Sequence, residues 1–137
     1  MNISEAGPTE RRPTEEIPSG SLISVTGIHL KETIKPSEMI AYVRKILPEL
    51  DQAEGRLYSD YRSVGDRNYL TITIWRDRDS LMRFKHSPEH AAAMAEAERL
   101  ADSTPYTYWI GDKIPTWEEA TERLAEAERE KQRDASA

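Results

Sequence analysis

The stretch YLTITIW, residues 69–75, constrains this chain more than any other, because β-branched and aromatic residues at all but one position suit a pleated strand and little else. Its alternation puts Leu70, Ile72 and Ile74 on one face and Thr71, Thr73 and Trp75 on the other. A second such segment, SLISVTGIHLK (21–31), sets Ile23, Val25, Gly27 and His29 against Leu22, Ser24, Thr26, Ile28 and Leu30. Neither strand has a face that is charged throughout, so a sheet built from them needs cover on both sides. The 137 residues suffice for one domain but not comfortably for two. Helices can cover one face. The simplest cover for the other is a second copy of the sheet, so we expect a two-fold homodimer with the sheets facing each other.

The remaining segments fall into a repeating order. KPSEMIAYVRKILPEL places Met39, Ile40, Val43, Ile46, Leu47 and Leu50 at helical spacing, with Pro36 suited to a first helical position and an expected end near Pro48. GRLYSDYRSVGDRNYLTITIW reads as two strands around a Gly65-Asp66 turn. Asp77 or Asp79 can cap a short helix carrying Leu81, Met82 and Phe84. Ser87-Pro88 then opens a second helix, EHAAAMAEAERLA. TPYTYWIGDKI supplies a fourth, aromatic strand. Thr116 and Glu119 match a capping box, ahead of a helix striped by Trp117, Ala120, Leu124 and Ala127. The order β-α-β-β-α-β plus a C-terminal helix predicts an α+β, ferredoxin-like antiparallel sheet. The domain boundaries follow: a flexible N-terminal tail over 1–20, rich in proline, glycine and glutamate, the barrel domain over 21–111, and a helical extension over 112–137.

Charge narrows the partners. With 25 acidic against 19 basic side chains and no long basic run, nucleic acid is not an expected partner. No cysteine is present, which removes disulfides and thiolate chemistry. No segment has the apolar length of a signal peptide core or a membrane span. We therefore expect a cytoplasmic protein with no membrane association.

Three features bear on chemistry. His86 and His90 stand four apart, a spacing at which two imidazoles on an unbroken helix converge on a metal. Ser87-Pro88 restarts the helix between them, and no third ligand stands at motif spacing. Helix punctuation, with no metal and no other cofactor, is the expected reading. His29 lies in an apolar strand beside Gly27, whose missing side chain leaves room. It fits either an acid-base group working near neutrality or a core or interface histidine with its nitrogens satisfied. Tyr58, Tyr61, Tyr69, Tyr106, Tyr108, Trp75 and Trp109 give the strands aromatic character suited to a planar ligand or to a core and dimer interface.

The segment TITIWRDRDSLMRFKHSPEHAAAM (71–94) runs from a strand ending in Trp into an acidic D-x-x-S/A-L helix start and then SP-x-H. It resembles the antibiotic-biosynthesis monooxygenase-like branch of the dimeric α+β barrel superfamily, over roughly residues 21–111. DKIPTWEEATERL (112–124) resembles the tail motif H-x-P-T-x-x-E-A of an uncharacterised domain-of-unknown-function family in the same superfamily. The resemblance implies the ferredoxin-like dimeric barrel. It also implies a cofactor-independent oxygenase or cyclase of secondary metabolism acting on an aromatic or polyketide-type molecule. In the cyclases a strand histidine is the general base, which maps to His29, and Tyr58, Tyr61, Trp75, Phe84, His90 and Tyr108 are the candidate substrate-binding residues. A non-catalytic dimeric binding or scaffold module is the alternative. Haem binding is a third reading, although the haem-degrading members' helical Trp and axial His fall here on Phe84 and Met94.

Overall fold

In the computed structural model, which describes residues 15–136, the longest strand is β1 (Glu16–Leu30), and its two apolar faces make it the centre of the sheet. After it come α1 (Pro36–Gln52), β2 (Arg56–Val64), β3 (Asn68–Trp75), α2 (Arg78–Lys85), α3 (Pro88–Leu100), β4 (Ala101–Ser103), β5 (Tyr106–Lys113) and α4 (Trp117–Ser136). The five strands are antiparallel, in the order β2-β3-β1-β4, with β5 also paired to β1. This is the expected α+β, ferredoxin-like arrangement with a C-terminal helix.

Capping chemistry sets the helix starts. Asp77, not Asp79, caps α2, its carboxylate accepting from the Ser80 N–H at 2.8 Å, and hydrogen bonds from the Ser80 side chain and backbone hold the Asp77 carboxyl below its usual range. Ser87 caps α3, with its hydroxyl oxygen accepting from the His90 N–H at 3.1 Å and donating to the Phe84 carbonyl at 2.8 Å. Thr116 accepts from the Glu119 N–H at 3.0 Å ahead of α4.

Three boundaries differ from expectation. β1 starts at Glu16, inside the stretch expected to be a tail; residues 1–14 of that stretch lie outside the described residues. The polar, proline-containing run at 16–20 reads as tail but forms a bulged strand end. Glu16 pairs with Lys113, the Ile114 N–H donates to Glu15 O at 2.8 Å, and the register slips before Ser21, where Gly20 takes φ +85°. Helix α1 continues past Pro48 to Gln52. Pro48 and Arg44, whose carbonyl loses its helical donor, both lie on the exposed face, while Leu50 is buried among Leu22, Trp75 and Leu81 and draws the helix on. Strand β4 was not foreseen. β1 outruns β5, whose pairing ends at Thr26–Tyr106, and Ala101–Ser103 covers the exposed end at Leu30 and His29.

The two faces of the sheet are packed differently. One carries Leu30, Tyr61 and Tyr69 against Met39 and Tyr42 of α1 and Ala97 and Leu100 of α3. The other carries Ile23, Val25, Leu70, Ile72 and Ile74 against Ile114 and against Ala120 and Leu124 of α4. The face that was expected to seek a second copy is thus packed by the chain's own last helix. Gly27 is what lets α4 approach: a Cβ there would lie 3.1 Å from Leu124 Cδ2 and 3.2 Å from Pro105 Cγ.

Candidate functional site

Between the first of these faces and helices α1, α2 and α3 lies a cavity of about 620 Å³, a size that suits a small organic ligand. Its formation follows from side-chain size on the sheet. Where β1 and β3 turn Ser24, Thr26, Thr71 and Thr73 toward the helices, short side chains leave space that Leu22, Leu30, Tyr69 and Trp75 fill at either end. Met39, Tyr42, Val43 and Ile46 of α1 form one wall. Phe84 and Lys85 of α2, with His90, Ala93 and Ala97 of α3, form the opposite one. Tyr106 and Tyr108 close the β5 side.

The walls are apolar and aromatic, with a few polar groups placed among them. Trp75, fully buried, sits 5.3 Å from Phe84 between ring centroids, and Phe84 meets the His90 imidazole edge-on at 5.1 Å. Trp75 Nε1 donates to Thr73 Oγ1 at 2.9 Å. Tyr61 is 5% exposed, and its hydroxyl has no hydrogen-bond partner, an unsatisfied polar atom in the cavity wall. Burial pushes the Tyr61 and Tyr69 phenols up, and burial with the nearby Glu96 carboxylate pushes Tyr42 up to about 12. All three phenols therefore stay protonated at neutral pH. Burial also lowers His90, and the Lys85 and His86 charges act in the same direction. A hydrogen bond that the imidazole donates to the Lys85 backbone opposes them. His90 is accordingly a neutral imidazole with one ring nitrogen engaged by the backbone, which leaves the other as an acceptor. The Lys85 ammonium lies 5.4 Å from the centroids of both Tyr106 and Tyr108, whose rings stack at 5.7 Å.

Of the residues expected to bind substrate, the fold brings Tyr61, Trp75, Phe84, His90 and Tyr108 together around this cavity. Tyr58 is not among them. It lies on the opposite face of β2, packed with the α4 cluster, and donates to Asp60 Oδ2 at 3.3 Å. His29 also lies off the cavity. It shares the alternation of Ile23, Val25 and Gly27, and its Nδ1 donates to Asn68 Oδ1 at 2.8 Å while its Nε2 stands 4.0 Å from Asp102. The room expected beside Gly27 is filled by Leu124 and Pro105. His86 is the exposed C-cap of α2, on the far side of the Ser87-Pro88 restart from His90. Among the described residues, no three His, Asp or Glu side chains are grouped to hold a metal ion.

Tyr42 and Lys85 are among the lining residues that the sequence does not single out. Tyr42 stands three after Met39 and four before Ile46, so helical spacing could have found it. Lys85 carried no local signal, because its place over the β5 rings depends on tertiary packing.

A family model described as "Domain of unknown function (DUF3291)" matches residues 41–134. No curated protein matches the chain. Solved structures share its fold at low identity. SnoaB, a cofactor-independent oxygenase from Streptomyces nogalater, is 14% identical, with a TM-score of 0.61 over 68% of this chain and 94% of that one. A dimeric ferredoxin-like protein of unknown function from Thermobifida fusca is 8% identical, with a TM-score of 0.61 over 74% and 100%. A conserved protein of unknown function from Bacteroides thetaiotaomicron, described as a possible oxidoreductase, is 12% identical, with a TM-score of 0.60 over 69% and 100%.

Proposed function

The chain belongs to the DUF3291 family, and from that premise we propose that it binds an aromatic or polyketide-type small molecule between the sheet and α1–α3 and acts on it as a cofactor-independent oxygenase or cyclase. The observation that carries this reading is the 620 Å³ aromatic cavity with the unpartnered Tyr61 hydroxyl in its wall. The protonated Tyr42 and Tyr61 phenols among apolar side chains offer hydrogen-bond donors to carbonyl or hydroxyl oxygens of a flat ligand, while Tyr69 donates to the Asp66 carbonyl at 3.2 Å, and the rings of Trp75, Phe84 and Tyr108 offer stacking surface. An oxygenase without a cofactor draws its electrons from the substrate, so the ligand must itself be readily oxidised.

The fold shared with SnoaB supports the oxygenase side of this reading. The position of His29, away from the cavity, favours the second reading, a small-molecule-binding or scaffold module without catalysis. Self-association belongs to either reading. It is supported by the exposed Tyr106 and Ile110 on one edge strand and Leu57 and Val64 on the other.

Titrating the protein with an anthraquinone while following tryptophan fluorescence tests binding, and oxygen uptake with the corresponding anthrone tests catalysis. Saturable quenching with oxygen uptake supports the oxygenase, and quenching alone supports the binding module. No quenching by either compound rejects the cavity as the ligand site.

A further inference from the structure

We infer that the cavity selects aromatic ligands carrying an acidic hydroxyl and holds that hydroxyl as its anion between Lys85 and His90. This deepens the small-molecule reading above and rests on it.

The two residues come together because α2 ends and α3 begins within one turn. Lys85 is the last residue of α2, and Ser87 caps α3 by accepting from the His90 N–H at 3.1 Å. The end of Lys85 is held by contacts outside that turn, and the end of His90 by contacts within it. The Lys85 ammonium rests against the Tyr106 and Tyr108 rings across the cavity on β5, and the imidazole rests against the edge of Phe84. An ammonium seated on two aromatic faces keeps its charge while losing part of its water, so an incoming anion meets a cation that is already partly desolvated. The other charges nearby do not cancel it. Glu96, which also lines the cavity, is held by Arg99 at 2.7 Å, and Arg99 reaches Glu38 of α1 at 3.6 Å as well. Glu89 lines the cavity as well, but from the exposed first turn of α3, where solvent screens its charge, and His86 lies outside on the α2 cap.

Lys85 then has two effects on His90. Its charge adds to burial, the larger cause, in disfavouring imidazolium and leaving a neutral acceptor. When a hydroxylated ligand enters, the ligand O–H bond breaks, the proton moves to the free imidazole nitrogen, and the phenolate that remains lies between two cations. No electrons leave the ligand in this step, and no co-reactant is needed. The neutral Tyr42 and Tyr61 phenols contribute hydrogen-bond donors and no competing negative charge.

The test uses 4-nitro-1-naphthol, whose anion has its own visible absorption band, and its methyl ether, which has no acidic proton. Tryptophan quenching reports occupancy for both compounds, and the anion band reports ionisation. The expected result is binding of both, with the naphthol about tenfold tighter and its apparent pKa lowered by about one unit or more on the protein. Lys85→Gln and His90→Gln should each lose most of the preference for the naphthol over the ether and most of the anion band. Retained ether binding shows that the variants are folded. If the naphthol and ether bind equally and no anion band forms, or if both variants keep the preference, the inference is overturned while the cavity reading stands. If neither compound binds, both fall.

Discussion

Trp75 and Phe84 face each other at 5.3 Å with their ring planes inclined by 35°, and this contact joins the end of β3 to α2. Phe84 passes the contact on to His90 at 5.1 Å, so the imidazole is positioned from the sheet through two aromatic rings. Trp75 is fully buried, and removing its ring undermines both the core and this wall of the cavity. Trp75→Ala should lower unfolding stability by about 3–5 kcal/mol in urea denaturation. A loss below about 1 kcal/mol would mean that the ring does not anchor α2.

Tyr61→Phe separates stability from binding. The hydroxyl it removes is buried without a partner, so the folded state should be unchanged or stabilised by up to about 1 kcal/mol. Affinity for an anthraquinone should fall about tenfold, because a donor to the ligand is lost. Parallel denaturation and fluorescence titrations measure the two effects. A destabilised variant with unaltered affinity would place the hydroxyl in an internal bond instead.

His90 gives a pH signature with a definite sign. Its folded value lies below the ordinary 6.5, with burial as the first cause, so the unfolded chain takes up the proton more readily. The stability it contributes is fully present above about pH 6.5 and is lost as pH falls through the depressed folded value. Melting temperatures measured from pH 8 down to pH 5 should decline across that window, and His90→Gln should flatten the decline. An NMR titration of the imidazole C–H proton, assigned with the same variant, should give a midpoint below 6.5. A midpoint above 6.5 would contradict a neutral, partly desolvated ring.

The packing of α4 on the sheet can be probed as a pair. Leu124→Ala should cost about 2–5 kcal/mol, because Leu124 is buried against β1 and β3. Gly27→Ala should cost about 1–3 kcal/mol, since the new methyl lies 3.1 Å from Leu124 Cδ2. Combined, the two should cost less than their sum, because the shortened side chain vacates the space the methyl needs. Additive losses would show that the close approach at Gly27 is relieved elsewhere. Removing residues 116–137 altogether should expose Ile23, Val25, Ile72 and Ile74 and drive association visible by sedimentation.

Local rules made most of the fold legible. The β-branched runs marked β1 and β3, and Asp77, Ser87 and Thr116 marked helix starts through their side-chain oxygens. Pro48 misled because its cost depends on whether the freed Arg44 carbonyl meets water, which is a matter of tertiary exposure. The strand reading grouped His29 correctly with Ile23 and Val25 but could not tell which face of the sheet would carry the cavity. That choice rests on where α4 docks, and α4 lies some ninety residues away along the chain. The aromatic lining was predictable as a set. Tyr58 and Trp109 fall on the other face, which counting aromatics does not reveal; strand parity puts Tyr61 and Tyr108 on the cavity face.

The central position of β1 has a consequence for how the chain comes off the ribosome. Ile23 must wait for Ile74 on one side and for Trp109 on the other, so the first strand to be made is among the last to be fully paired. Until β5 emerges, an apolar strand edge stands open to whatever it meets. Refolding should therefore be slow for a domain of this size, and nascent chains halted before residue 106 should be caught by chaperones far more than the finished protein.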